Sequence, residues 1–272
     1  MGSDPMDETP WMPGNAIIHN MGCAMSDNEL RYEIYGRVFT VKTSSCGYDI
    51  DEAQDVTIGL TAESKGTFLV GKRYRVFDRE IVSQHKFKVP YDWAVGMRRR
   101  LLDIKVPAFP YMLVGCDGGF TELRAGECGG GVRYKWWCGV PDGWEELDSF
   151  ACDVISLFDV MCKFEEQRGG NVPELVRVCP VAGIGFAEGA GKAIEGLCTG
   201  DSLELVREKD NRHDANAVAV VAGVRVGYVP RKCNADIASM IDEGRMFDAR
   251  VLSIGQDESQ PKMEIALFLN NS

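Results

Sequence analysis

The chain has 272 residues, a length that suits two modest domains better than one. Some 45% of the residues are hydrophobic and 26% are charged, as in an ordinary globular protein, and no apolar run reaches the roughly 18–20 residues that a membrane span needs. The net charge of −11 divides into −7 up to Pro173 and −4 beyond it, so neither half is a basic domain; this argues against coating long duplex DNA but leaves room for a few contacts to one end or one short strand.

Ten cysteines stand at positions 23, 46, 116, 128, 138, 152, 162, 179, 198 and 233. No two have the Cys-x-x-Cys spacing and only three histidines accompany them, so neither a metal site nor a cofactor is expected. The opening residues have neither a basic stretch nor an apolar core of the secretory kind. The expectation is a cytoplasmic protein with reduced, mostly buried thiols.

Residues 1–29 read as a tail or loosely docked arm, and 30–165 as an N-terminal α+β domain. Its first strand runs from Tyr32 to Val41 with a break near Gly36, and Val56–Thr61 makes a second. Phe68–Val70 and Tyr74–Phe77 flank Gly71 as a hairpin or a bent strand, and Ile81–Val82 and Phe87–Val89 extend an antiparallel sheet. Pro90 opens a helix with Trp93, Val95, Met97, Leu101 and Leu102 as its apolar members, and Pro107 and Pro110 end it. Two strands, Thr121–Arg124 and Val132–Trp137, flank a glycine-rich turn at Gly126–Gly131. A second helix spans about Trp144–Phe164, with apolar residues recurring every three or four positions. Trp136, Trp137 and Trp144 read as core packing rather than as a binding platform. The polar stretch 166–173, rich in glycine and closed by Pro173, is the expected linker.

Beyond it, 174–272 is dense with strand signals. Val176–Cys179 and Val181–Phe186 form the first strand region, Gly189–Leu197 a short turn or helical excursion, and Ser202–Glu208 a half-buried strand. A polar loop over Asp210–Ala217 leads to a hairpin, Val218–Ala222 and Val224–Val229, around Gly223. Asn234 caps a helix ended by Gly244, and strands Phe247–Ile254 and Met263–Leu269 close the domain.

These residues resemble the HIRAN domain. The string Val181-Ala-Gly-Ile-Gly-Phe186 precedes Gly200-Asp201 and Leu203–Glu208; then come Asn211-Arg-His-Asp214-Ala-Asn216-Ala-Val and Val226-Gly-Tyr-Val-Pro-Arg231. The resemblance implies a small β-barrel of the SH3-like or OB-like kind with a short helix. It also implies a role in DNA repair or related nucleic-acid transactions, by binding single-stranded DNA at its 3′ end. Carried over position by position, Phe186 is the first stacking aromatic, and Asn211 and Asp214 are the polar pair of the loop. Asp214 is then the acceptor for a 3′-hydroxyl. His213 stands where the family often has a second aromatic, Tyr228 where some members have His, and Arg231 where some have Lys. Gly185 replaces an Arg of DNA-binding members, which removes one phosphate contact.

No catalytic residue is expected. Gly189-Ala-Gly-Lys192 fails as a phosphate loop, because Phe186 and Ala193 stand where a Gly and a Ser or Thr are needed. No Gly-x-Ser-x-Gly or His-Glu-x-x-His is present. The expectation is therefore a β-rich α+β protein of two domains. Its N-terminal antiparallel sheet carries two helices, and its C-terminal barrel binds single-stranded nucleic acid at a 3′ end. The alternative is a non-catalytic adaptor that uses the same barrel for a protein. The N-terminal domain is then the place for a protein partner, and no membrane is involved.

Overall fold

Alternation of buried and exposed residues runs through β3 (Gly66–Arg75) and the end of β4 (Ile81–Val89), whereas β1 (Gly36–Ser44) and β2 (Gln54–Glu63) each bury four residues in a row, Val38–Val41 and Thr57–Leu60. The alternation is the period of strands covered on one face, and the central pair is buried on both. The computed structural model describes residues 34, 36–44, 54–76, 78–107, 118–127, 130–137, 139–187, 189–257 and 260–270. The arm expected over 1–29 and the strand positions Tyr32 and Phe77 lie outside the described residues.

With β5 (Phe120–Glu127) and β6 (Gly130–Trp137), these strands form an antiparallel sheet in the order β4-β3-β2-β1-β5-β6. The segment around Gly71 is one continuous strand rather than a hairpin. Gly71 serves packing there: a Cβ would lie 2.1 Å from Cζ of Phe158, whose ring rests on the bare backbone.

Helix α1 (Tyr91–Asp103) follows Pro90, whose φ of −59° suits a helix start. Helix α2 (Glu145–Gln167) carries Glu145, Glu146 and Asp148 in its first turn, where carboxylates meet the positive end of the helix dipole. Both helices cover the same face of the sheet. Phe150 meets Phe39 edge-on at 5.0 Å, Phe158 packs on Phe87, and Trp144 meets Trp136 at 5.9 Å. The two tryptophans are buried, in line with a core role.

A single amphipathic stripe does not describe α2. Val160, Cys162 and Phe164 are buried as well as Leu147, Phe150, Val154, Leu157 and Met161. The reason is a second sheet against its far side. Phe164 meets Phe268 at 4.8 Å, and one hydrophobic core runs from the first sheet through α2 to Leu175, Leu252, Ala266 and Phe268.

The second sheet contains β7 (Glu174–Pro180), β8 (Ser202–Arg207), β9 (Val218–Ala222), β10 (Val224–Tyr228), β11 (Phe247–Asp257) and β12 (Gln260–Leu269). Their order is β10-β9-β8-β11-β12-β7, and the sheet curls into a half-barrel. Its two edge strands nearly meet. The chain leaving β7 crosses from β12, where the Val181 N–H donates to the Met263 carbonyl (2.8 Å). It reaches β10, where Ala182 and Tyr228 exchange backbone hydrogen bonds of 2.8 and 2.9 Å. That bridge closes the barrel around a core that includes Val218, Val220, Val226, Ile237, Val251 and Ile265.

Two expectations are corrected here. Val181–Phe186 is not a strand beyond the single bridge at Ala182. Gly183, at φ 74°, turns the chain into a 3-10 turn over Ile184–Phe186. Asn234 does not cap its helix. Helix α4 (Arg231–Asp242) starts directly after Pro230, because proline at φ −60° is already set for a helix, and Asn234 is buried inside the first turn. Gly244, at φ 85°, ends the helix as expected, with the Arg245 N–H reaching back to the Met240 carbonyl. The excursion after Phe186 is helix α3 (Ala190–Glu195). Among the described residues, no helix is long and apolar enough to cross a membrane.

Candidate nucleic-acid interface

The closing bridge fixes the neighbourhood. Tyr228 ends β10, the 3-10 turn that carries Phe186 begins two residues after Ala182, and the loop between β8 and β9 lies alongside. Close approach at the bridge depends on Gly227. A Cβ there would sit 2.5 Å from Cγ1 of Val181 and 2.6 Å from the Ala182 carbonyl oxygen.

Phe186 is 96% exposed, the most exposed large apolar side chain among the described residues. Gly183 precedes its turn and Gly185 lies within it, and Ile184 alone of that turn is buried, so the backbone is anchored while the ring stands in solvent. A ring in that position contributes nothing to the core and presents a π-face to whatever arrives.

The polar residues are wired together. Asn211 Oδ1 accepts the backbone N–H groups of His213 (3.0 Å) and Asp214 (3.2 Å), and Asn211 Nδ2 donates to Glu208 (2.8 Å). Asp214 Oδ1 accepts the Asn216 N–H at 2.9 Å; Oδ2 accepts Nδ2 of Asn234 at 2.8 Å and lies 3.5 Å from Nε of Arg231. Hydrogen bonds from the Asn216 N–H and the Asn234 amide hold the Asp214 carboxyl below its ordinary range. It is therefore ionised at neutral pH, and a carboxylate offers about four lone-pair sites, so acceptor capacity remains for a further donor.

Arg231 donates from Nη2 to the His213 carbonyl at 2.7 Å while its side chain stays 72% exposed. Its guanidinium thus holds the loop with one edge and leaves others to solvent. His213 is exposed, and it is its backbone that the network uses at both ends. Tyr228 is half-buried. Its hydroxyl donates to Glu208 at 3.1 Å and accepts from Nη1 of Arg225 at 2.8 Å, with the Arg225 guanidinium 5.2 Å from the ring centre. Burial, and then the Glu208 carboxylate, push the phenol's pKa above its usual value.

The structure therefore brings Asn211, His213, Asp214, Tyr228 and Arg231 into one hydrogen-bonded cluster at the barrel closure, with Phe186 on the adjoining turn. Three members escaped the sequence reading. Glu208 joins the loop to Tyr228, Arg225 lies over the Tyr228 ring, and Asn234 anchors Asp214. Asn234 had a usable signal, since an Asn in the first turn after a proline start is not needed as a cap. Arg225 and Glu208 had none, because their partners are set by the hairpin and the barrel. Among the described residues, no group of three or more His, Cys, Asp or Glu side chains is placed to hold a metal.

No curated protein matches the chain. A solved protein from Lactobacillus plantarum is similar at 24% identity, over 35% of this chain and 92% of that one, with a TM-score of 0.33. The family model described as the HIRAN domain matches residues 176–270, from β7 to the end of β12. The C-terminal third of the chain thus matches the HIRAN domain, and it is joined to an N-terminal part in which no family is recognised.

Proposed function

We propose that this protein is a non-catalytic nucleic-acid-binding module whose C-terminal barrel holds single-stranded DNA, with preference for a free 3′ end. The HIRAN match supports nucleic-acid binding as the class of function. The observation that carries the finer reading is the exposed Phe186 ring beside the loop of Asn211, Asp214 and Arg231. In this reading Phe186 stacks on a base, a contact indifferent to sequence. The exposed edge of Arg231 pairs with a phosphate, and the ionised Asp214 accepts the terminal hydroxyl. Tyr228, held by Glu208 and Arg225, supports the wall between them.

A protein-interaction adaptor built on the same barrel is the second reading. The net charge of −11 and the glycine at 185 favour it. Fluorescence anisotropy with short single strands at low salt separates the two. Tighter binding of a free 3′ end than of a blocked one is the expected result. Absence of binding at tens of micromolar would leave the adaptor.

A further inference from the structure

The first sheet has a second face, away from α1 and α2, and its chemistry differs from that of the chain as a whole. Phe39, Leu69 and Phe87 point to the helices, so alternation puts their strand neighbours on the opposite side. The cross-strand registers assemble Lys72, Lys86, Lys88, Arg124, Arg133 and Lys135 there. The carboxylates that the same registers place with them are Asp55, Glu63 and Glu122. Asp55 is taken by Arg79, Glu63 by Lys86 at 2.8 Å, and the buried Glu122 by Arg124 at 2.6 Å and Arg133 at 2.5 Å. Among the described residues, Lys72, Lys88 and Lys135 have no ion-pair partner. In a chain of net charge −11, this face carries a surplus of cations.

The arrangement is elongated. Lys72, Thr57, Lys42, Glu122 and Lys135 face one another in a single row across β3, β2, β1, β5 and β6. At roughly 4.8 Å per strand the row spans about 19 Å. Its middle is low, because Thr40, Thr57 and Gly59 carry small side chains or none and are buried beneath the longer cationic side chains around them, which make the accessible surface. A groove of about 220 Å3 opens there, lined by Thr40, Thr57, Lys42, Arg124 and Arg133. Two aromatic rings share the face, Phe68 under the Lys86 ammonium at 4.3 Å and Phe120 under that of Lys135 at 3.8 Å. A linear track of cations over a shallow floor, with aromatic rings beside it, suits an extended anionic strand better than a compact acidic protein surface.

We infer that the open face of the first sheet is a second binding surface, which takes the phosphate backbone of a single-stranded nucleic acid. It works by charge and is separate from the end-reading site of the barrel. The test uses the full chain in four forms: unaltered, Phe186→Ala, the combined Lys72→Glu, Lys88→Glu, Lys135→Glu variant, and the same three positions changed to Gln. Binding of a fluorescent oligothymidylate is followed as salt rises. Losing three phosphate contacts lowers the slope of log K against log salt by about 2, at roughly 0.7 per contact for a single strand.

The expected result is that loss of slope, with the preference for a free 3′ end retained. The Phe186→Ala variant does the converse, weakening binding while keeping the slope. An unchanged slope in the triple variant overturns the second surface and leaves the barrel reading standing. A lowered slope with no end preference in any form removes the barrel reading instead. If polyglutamate of matching charge displaces the strand from the unaltered protein equally well, the assignment to nucleic acid is overturned. The combined Lys→Gln variant at the same three positions must also lose slope, which keeps the test decisive if the Glu variant misfolds.

Discussion

Replacing Phe186 with alanine separates binding from folding more cleanly than any other change in this chain. A phenylalanine in a packed core costs about 3–5 kcal/mol when cut to alanine, because burial is lost and a cavity remains. Phe186 is 96% exposed, so folding removes almost none of its surface from water and neither loss applies. Its 3-10 turn is held by the buried Ile184 and by backbone hydrogen bonds from Phe186 to Gly183 and from Ala187 to Ile184, which alanine keeps. Stability is therefore expected to change by less than about 0.5 kcal/mol. Binding is another matter: one lost base stack is worth about 1–3 kcal/mol, or roughly 5- to 150-fold in affinity. Urea denaturation and anisotropy titration on the same preparation read both quantities. A fall in stability of core size would mean that the ring packs in solution, and unaltered affinity would mean that it stacks on nothing. Either result refutes the reasoning.

Asp214→Ala is expected to weaken binding to a 3′-hydroxyl end more than to a 3′-phosphate end, measured as the ratio of the two affinities. Equal losses would assign Asp214 to the loop alone, where it already holds Asn216, Asn234 and Arg231. Arg231→Ala should lower the salt slope by about 0.7, and an unchanged slope removes it from any phosphate. Gly227→Ala forces a Cβ against the Ala182 carbonyl and should destabilise the fold by about 1–3 kcal/mol in urea melts; stability like that of the unaltered protein would show that the closing bridge tolerates it. Glu122 bears on pH. Burial pushes its pKa up, but hydrogen bonds from Arg133 and Arg124 more than offset this, and the net shift is downward. A lowered folded-state pKa means stabilisation that is present above the ordinary value of 4.5 and lost as pH falls through the folded value. The stability gap between the unaltered protein and Glu122→Gln, about 1–3 kcal/mol at pH 7, should shrink below that pH; a constant gap would contradict the ion-pair account.

Much of this architecture was legible because strands and helices write their periods locally. β8, the hairpin around Gly223 and α2 could each be read from alternation or from three-and-four spacing. What escaped depends on partners far away in the chain. The bridge from Ala182 to Tyr228 has no local marker, so Val181–Phe186 read as one strand and the exposure of Phe186 stayed open. The same holds for Asn234, whose partner Asp214 lies twenty positions earlier across the barrel. The second buried side of α2 did leave a trace. Val160, Cys162 and Phe164 widen its apolar girth beyond what one sheet can cover.

That helix has a consequence for how the molecule responds to a ligand. Phe164 lies against Phe268, with the guanidinium groups of Arg168 and Arg250 at 5.0 and 4.7 Å from its ring, and Arg168 also grips Asp248 and Asn270. Neither half can melt without exposing the apolar surface that the other covers. An oligonucleotide at the barrel, present at a hundred times its dissociation constant, adds about 2.7 kcal/mol to the native state. Through α2 that stabilisation reaches the first sheet too, so amides of β1 and β2 should exchange with solvent more slowly when the strand is bound, even in the combined Lys72→Glu, Lys88→Glu, Lys135→Glu variant, whose first sheet no longer holds it.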